Sequence, residues 1–175
     1  MNGAAKHPVT AWEFAVIVVL VVIGAGCSYF VYSAQRNHAL NKVAASNLSS
    51  AASATMEAYY QSVATDRSFG YVSIRHLDAV DGDLHWTTGA STNPSIASYY
   101  LPSWPSKAHP EALYLAIRSA AGSCFLALQV ASHAPYYLPA SHESFAMGTW
   151  YSSYNGPTCQ ATMPASMPLS WSKNT

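Results

Sequence analysis

Hydrophobic side chains follow one another without a break near the start of the chain. The run from Phe14 to Ala34 contains no charged residue. A helix rises about 1.5 Å per residue, so a run of this length spans about 30 Å, the thickness of the hydrocarbon layer of a membrane. One carboxylate, Glu13, stands at its edge beside Trp12. The pattern predicts a membrane-spanning helix over residues 11–35, and it marks Glu13 as a candidate functional residue because a charge there needs compensation.

The helical pattern continues beyond the apolar run. Residues 36–65 contain neither proline nor glycine and are rich in alanine, the best helix former. Larger apolar residues recur in this segment at spacings of three, four and seven: Leu40, Val43, Leu48, Met56, Tyr59, Tyr60 and Val63. We therefore predict one helix from about Ala11 to about Ala64, with one side of its second half packed on a sheet. Gly24 and Gly26 are the places where this helix is expected to bend or loosen.

From Tyr71 the pattern changes to short strand-like runs separated by turn residues, which predicts a globular β domain over residues 66–175. The candidate strands are Leu84–Thr88, Ile96–Leu101, Ala112–Arg118, Cys124–Val130 and Met147–Tyr151. The third and fourth of these predict an antiparallel hairpin. The tail from Pro157 onward is rich in Pro, Ser and Met and is predicted to be irregular. Together the elements predict an α+β fold with a small antiparallel sheet.

Alternation along the predicted hairpin assigns its side chains to two faces. Leu113, Leu115 and Ile117 share one face of the first strand. On the second strand one face is formed by Cys124, Leu126, Leu128 and Val130. We expect four helix residues to be buried against Leu113, Leu115, Leu126 or Leu128, and these are Leu48, Met56, Tyr59 and Val63.

The composition favours association and gives no sign of a nucleic-acid partner. Half of the 175 residues are hydrophobic, only 9% are charged, and the net charge is zero. A neutral chain lacks the basic patch that nucleic acids or anionic lipids attract. Low surface charge together with 12 tyrosines and five tryptophans suits contact with neighbouring molecules. The length allows one modest domain beside the apolar helix.

The segment before the apolar run, residues 1–10, resembles a leader. A secretory signal has an apolar core of about 7–15 residues followed by an Ala-x-Ala-like site. Here the run is longer and no such site follows it. These features predict a retained single-pass anchor, and the two cysteines of the C-terminal part indicate that this part lies outside the cell.

Three cysteines are present, one in the apolar run and two in the C-terminal part of the chain. Cys27 lies inside the apolar run, where we expect a packed small residue. Cys124 and Cys159 lie in the part expected outside the cell, where thiols pair. We predict a disulfide between these two, closing a loop of about 36 residues that contributes about 3–4 kcal/mol through loop-closure entropy.

No catalytic, cofactor-binding or metal-binding pattern emerges from the polar residues. The histidines lack the spacing of a metal site, and Ser123 beside Cys124 lacks the context of a nucleophile elbow. Asp78, Asp81 and Asp83 are expected to form a solvated turn, because the continuation of a calcium loop is absent. The sequence therefore predicts a chain that is not an enzyme.

The order of these features resembles that of type IV pilins. WEFAVIVVLVVIGAG is similar to the pilin anchor that is led by a single Glu, and LSSAASATMEAYYQSVATDRSFGYVS is similar to the end of the pilin helix. Three further segments resemble the globular domains of Gram-positive, actinobacterial-type pilins: LHWTTGASTNPS, AIRSAAGSCFLALQV and GTWYSSYNGPTCQA. The resemblance covers nearly the whole chain.

The resemblance implies a subunit that waits in the membrane as a monomer and polymerises through its N-terminal helix into a surface filament for adhesion, motility or DNA uptake. Counting back from Glu13 implies a mature start at Val9, where Pro8 stands in place of the usual leader glycine. Val9, Trp12, Glu13 and Phe14 would form the assembly end, with Glu13 paired to the α-amino group of a neighbouring copy. The implied partners are further copies of the chain, the membrane, a prepilin peptidase and the pilus assembly machinery.

Two alternatives remain open. One is a minor pilin or pseudopilin that primes a short secretion or competence filament. The other is a monomeric binding domain on a single-pass anchor. For Glu13 itself, the alternative to pairing is a side chain that reaches water at the membrane boundary.

Overall fold

The structure is a computed structural model of the chain, and it describes residues 11–61, 69–102, 112–131, 136–137, 144–162 and 170–173. The chain divides into two compact units, residues up to 38 and residues from 39 onward, and each is described by itself. The helices are α1 (Ala11–Gln61) and α2 (Ile74–Val80), with a short 3-10 helix at Phe69–Tyr71. The strands are β1 (His85–Thr87), β2 (Ile96–Tyr100), β3 (Ala112–Arg118), β4 (Ser123–Val130), β5 (Tyr136–Tyr137), β6 (Ser144–Phe145), β7 (Gly148–Asn155) and β8 (Ser172–Lys173). The predicted α+β fold is confirmed.

Helix α1 has the extent that the alanine-rich pattern predicts. It continues through Gly24 and Gly26, so neither glycine ends the helix. The Ser28 hydroxyl donates a hydrogen bond to the Gly24 carbonyl oxygen over 2.8 Å, within the helix's own turn. The predicted end at Ala64 and the predicted contact of Val63 lie outside the described residues.

Helix α2 stands where strand-like runs were predicted, so the prediction from Tyr71 onward was wrong there. Ser73 precedes the helix in an extended conformation, and its hydroxyl accepts a hydrogen bond from the backbone N–H of His76. This N-cap satisfies one of the free amides of the first turn. Ile74, Leu77 and Val80 recur every third residue, and Leu77 is fully buried. The cap and this spacing outweigh the β-branched character of the segment.

Six strands form one sheet in the order β1-β2-β3-β4-β7-β8. The predicted hairpin is confirmed: β3 and β4 are antiparallel, and Arg118 lies opposite Cys124. Strand β7 is longer than predicted because it pairs with the whole of β4, from Val130↔Gly148 to Ser123↔Asn155. β5 and β6 form a separate two-stranded sheet.

Two pairings depart from the predicted antiparallel sheet and irregular tail. β1 and β2 are parallel, because residues 88–95 carry the chain back until Ile96 stands opposite His85. β8 lies in the tail and pairs with β7 at Trp150. The ammonium group of Lys173 lies 5.8 Å from the centre of the Trp150 ring, a cation–π contact that holds this short strand in place.

Helix α1 covers one face of the sheet through residues 44–59. Leu48 and Tyr59 are buried in one cluster with Leu113 and Leu115, and Met56 packs against it. The cluster also includes Ala44, Ala51, Ala52, Ala54, Ala58, Ile117 and Ala127. The small side chains allow the helix to approach the strands closely, as the alanine-rich pattern predicts.

Of the four leucines predicted as alternative partners of the helix, Leu113 and Leu115 lie in this cluster, but not Leu126 and Leu128. Both lie in a second cluster on the opposite face of the sheet. The hairpin register explains this, because Leu115 stands opposite Ala127 and therefore shares a face with it. The leucines of β3 and those of β4 consequently point to different sides. The sheet has a core on each face.

Candidate assembly surface

The first part of α1 presents apolar side chains to solvent on all its sides. Eight consecutive residues, Val16 to Ile23, are exposed, as are Trp12 and Phe14, which are 76% and 66% accessible. The aromatic residues Tyr29, Phe30 and Tyr32 extend this surface. Residues 12–32 together form the apolar helix surface, and none of their side chains is buried. A helix that is apolar all round needs an apolar environment from outside its own chain.

Length and composition make this helix fit to cross a membrane. Its most apolar 18-residue window has a mean hydropathy of 2.6, and none of that window is buried. A helix in lipid satisfies its backbone hydrogen bonds internally, so the segment needs no further partner there. Other apolar helices would satisfy the same requirement.

The structure shows the local geometry of the predicted assembly residues that it describes. Trp12, Glu13 and Phe14 occupy the first turn of α1, and all three side chains are exposed. Val9 lies outside the described residues. Cys27 is a free and exposed thiol rather than the packed residue that was expected.

The folded domain is cross-linked. Cys124 on β4 and Cys159 form a disulfide, as predicted, across a sequence separation of 35. Both cysteines are fully buried in the second cluster. Hydrogen bonds fasten the same C-terminal segment to the sheet: Ser91 N–H to the Cys159 carbonyl oxygen (2.7 Å), and Ala161 N–H to the Ser98 hydroxyl oxygen (3.0 Å). The disulfide therefore belongs to an ordered layer on the face of the sheet opposite α1.

Two tyrosines in that layer are buried with their hydroxyls. The ring centres of Tyr114 and Tyr136 are 6.4 Å apart, and neither hydroxyl makes a well-formed hydrogen bond in the described part of the chain. Burial raises the pKa of both phenols, and the neighbouring Tyr136 raises the pKa of Tyr114 further. Both side chains belong to the second cluster of buried residues.

A buried polar contact joins α1 to the sheet, and the sequence analysis missed it. The Gln129 side chain donates a hydrogen bond to the Ala52 carbonyl oxygen over 2.5 Å, and its own oxygen accepts one from the Thr55 hydroxyl. Gln129 is 1% accessible and Thr55 is fully buried. In the sequence, the indication of this contact was a single glutamine among the apolar residues of β4.

A groove of about 630 Å³ beside the end of α1 is lined by Glu57, Tyr60, Gln61, Thr149 and Tyr151, among others. Within the residues that the structure describes, no group of three His, Cys, Asp or Glu side chains is placed to hold a metal ion. The apolar helix surface is the most conspicuous candidate for function.

Comparison with protein-family models, with curated proteins and with solved structures gives no match for this chain.

Proposed function

We propose that this chain is a type IV pilin-like subunit that polymerises into a surface filament through its N-terminal helix. One observation carries the proposal: the apolar helix surface continues, within the single helix α1, into the residues that form the core of the folded domain. The first part of the helix has no cover from the described part of its own chain. Its surroundings must come from lipid or from other copies.

The two environments correspond to two states of the subunit. In the cytoplasmic membrane the helix is a single-pass anchor with the C-terminal domain outside. In the filament the same side chains pack against those of neighbouring copies, so no apolar area is exposed during the exchange. A prepilin peptidase and an assembly motor, as separate proteins, would perform processing and extrusion. The proposal assigns no catalysis, cofactor or metal to the chain itself.

Glu13 has the role of an assembly residue in this proposal. It stands between Trp12 and Phe14 in the sequence, in the first turn of α1 and at the beginning of an uncharged helix segment. Among packed apolar helices an ionised carboxylate needs a cation, and the α-amino group of the next copy, starting near Val9, would supply it. In water an unpaired carboxylate costs little free energy, but in an apolar bundle it costs much more. A copy is therefore expected to join only at the position where Glu13 meets its partner charge.

The folded domain is suited to the outside of such a filament. It has a core on each face of its sheet and a disulfide that resists the extracellular environment. The exposed side of α1 next to it is polar and is formed by small residues, among them Ser46, Ser49, Ser50 and Ser53. Neighbouring domains can approach that side closely.

Shearing of cells that produce the parent chain tests the proposal. Long fibres that contain this chain are the expected result. Short fibres, or fibres in which the chain is a minor component, would favour the minor pilin or pseudopilin. A chain that remains a membrane-bound monomer would reject filament assembly and leave an anchored binding domain, which the same apolar helix surface also allows. N-terminal sequencing of the mature protein would locate the processing site relative to Val9.

A further inference from the structure

The helix-facing side of the sheet extends beyond the part that α1 covers. Strand β7 lies next to β4, and in this pairing Thr149 stands opposite Gln129. Two residues further along, Tyr151 stands opposite Ala127. Directly opposed residues share a face of a sheet, so both β7 side chains are on the face whose core α1 covers. Both are only half-buried, and a groove lies between α1 and β7.

The other wall of this groove is one side of α1. Four of its lining residues are spaced by three or four positions, which places them on the same side of the helix: Ser53, Glu57, Tyr60 and Gln61. All four side chains are exposed. The groove has a volume of about 630 Å³, within the range of about 300–1,000 Å³ that is typical of small-molecule sites. Its described lining residues all belong to the unit that begins at Ala39, so the site is defined independently of the apolar helix surface.

The groove carries a negative charge. Among the described residues that line it, Glu57 is the one charged side chain. The Gln61 amide, which also lines the groove, donates a hydrogen bond to the Glu57 carboxylate over 2.9 Å. An ionised carboxylate has about four acceptor sites, so Glu57 can also bind a ligand. The groove therefore favours a positively charged ligand and disfavours an anion.

A tyrosine on each wall adds an aromatic surface to this charge. Tyr60 packs edge-on against the buried Tyr59, with the two ring centres 5.5 Å apart. Tyr151 packs from β7 against the core beneath α1. Both rings are therefore held in place before a ligand arrives, which lowers the entropic cost of binding. An aromatic ring attracts a cation that lies over its face and offers apolar area to alkyl groups.

We propose that this groove binds a small organic ammonium ion, with its positive charge at Glu57 and its alkyl groups against the rings of Tyr60 and Tyr151. The carboxylate supplies the attraction for the charge, and the tyrosines supply both cation–π attraction and apolar contact. A neutral molecule of the same shape would gain only the apolar contact. Charge complementarity thus selects the class of ligand.

A titration with choline, compared with its neutral isostere neohexyl alcohol, tests the proposal. The full chain is kept in a polyoxyethylene detergent, which carries neither charge nor sugar, and its methionine methyl groups are isotope-labelled for nuclear magnetic resonance. Met56 lines the groove and reports on binding, whereas the exposed Met147 lies outside the described lining and serves as the internal control. We expect a saturable shift of the Met56 signal with choline and binding of neohexyl alcohol that is about tenfold weaker or less.

Glu57→Gln removes the charge, retains the shape of the side chain and can still accept the hydrogen bond from Gln61. It should weaken choline binding about tenfold at constant ionic strength. Asp83→Asn is the matched control, since Asp83 is an exposed carboxylate outside the described lining, and it should bind choline as the parent does. Tyr60→Ala should also weaken binding, and circular dichroism checks that each variant is folded.

Four results would overturn the proposal. They are equal affinities for choline and neohexyl alcohol, equal affinities of Glu57→Gln and Asp83→Asn, a Met56 signal that choline does not shift, and a Met56 signal that a neutral methyl glucoside shifts as strongly. The last would assign the groove to carbohydrates. A Met56 signal that changes with protein concentration and not with choline would assign it to a contact with a second copy of the chain.

Discussion

The side-chain nitrogen of Gln129 lies 2.5 Å from the backbone carbonyl oxygen of Ala52, and so a strand of the sheet is hydrogen-bonded directly to the helix that covers it. Ala52 belongs to α1 and Gln129 to β4. The Thr55 hydroxyl completes the contact from one turn further along the helix. Because apolar packing alone permits a helix to slide, a buried polar contact of this kind gives the helix a defined position on the sheet.

Replacing Gln129 by leucine should lower the free energy of unfolding by about 1–3 kcal/mol, because two buried hydrogen bonds between strand and helix are lost and the Thr55 hydroxyl keeps only its bond to the Ala52 carbonyl oxygen. Thermal denaturation of the full chain in detergent, followed by near-ultraviolet circular dichroism, measures the change. The matched control is Gln160→Leu, since the Gln160 side chain donates a single exposed hydrogen bond to the Thr88 carbonyl oxygen. An effect of Gln129→Leu no larger than that of the control would show that the buried contact adds nothing.

The positions and faces of the strands were more predictable from the sequence than the side on which each face meets the helix. Alternating residues give β3 and β4 their limits and their faces, and the structure confirms both. Which face meets the helix depends on register, and register depends on the turn between the strands. With Gly122 at a φ of 98°, that turn aligns Leu115 with Ala127, not with a second leucine. Local pattern does not contain this information.

Short elements were the least predictable. The seven residues of α2 contain Ile74 and Val80, which favour strands, and only the Ser73 cap and the burial of Leu77 decide for a helix. β8 is paired with β7, and its Lys173 lies over the ring of Trp150. Such tertiary contacts are not visible in a single sequence. The apolar helix surface, by contrast, follows from composition alone.

Loss of the disulfide should destabilise the folded domain by about 3–4 kcal/mol, from the loop-closure entropy of its 35-residue separation. Cys124→Ser and Cys159→Ser should have similar effects, and Cys27→Ser, at the free and exposed thiol, should have almost none. Denaturation with and without a reductant measures the difference. Mass spectrometry of unreduced peptides checks the pairing, and free thiols at 124 and 159 in the mature protein would contradict it.

High pH should destabilise the domain through its buried tyrosines. The pKa of Tyr114 is raised above its ordinary value of 10.0 in the folded state, mainly by burial. The folded protein therefore keeps a proton that the unfolded chain releases above about pH 10, so stability is unaffected below that pH and falls as the pH rises beyond it. Unfolding measured on both sides of that pH should show this decline.

Tyr114→Phe provides the check on that prediction. The variant should reduce the alkaline decline and change the stability at neutral pH by about 1 kcal/mol or less, because the lost hydroxyl makes no well-formed hydrogen bond within the described residues. Tyr60→Phe, at an exposed position, should retain the decline of the parent. An unchanged slope in Tyr114→Phe would assign the alkaline effect to another group.

Glu13 should be required for assembly and dispensable for insertion and folding. Residues 14–34 are apolar enough to enter a membrane whatever stands at position 13, and among the described residues the two buried clusters begin at Ala44. In a bundle of apolar helices, however, removing one member of a buried ion pair leaves its partner charge uncompensated, a cost of about 3–5 kcal/mol per contact. Glu13→Gln should therefore give folded, membrane-inserted monomer at the parent level and few or no fibres after shearing.

The matched control for Glu13→Gln is Asp83→Asn, which changes an exposed carboxylate in the turn before β1 and should form fibres normally. If Glu13→Gln polymerises as well as the parent, its carboxylate only reaches water at the membrane boundary, and the alignment of copies must come from other residues.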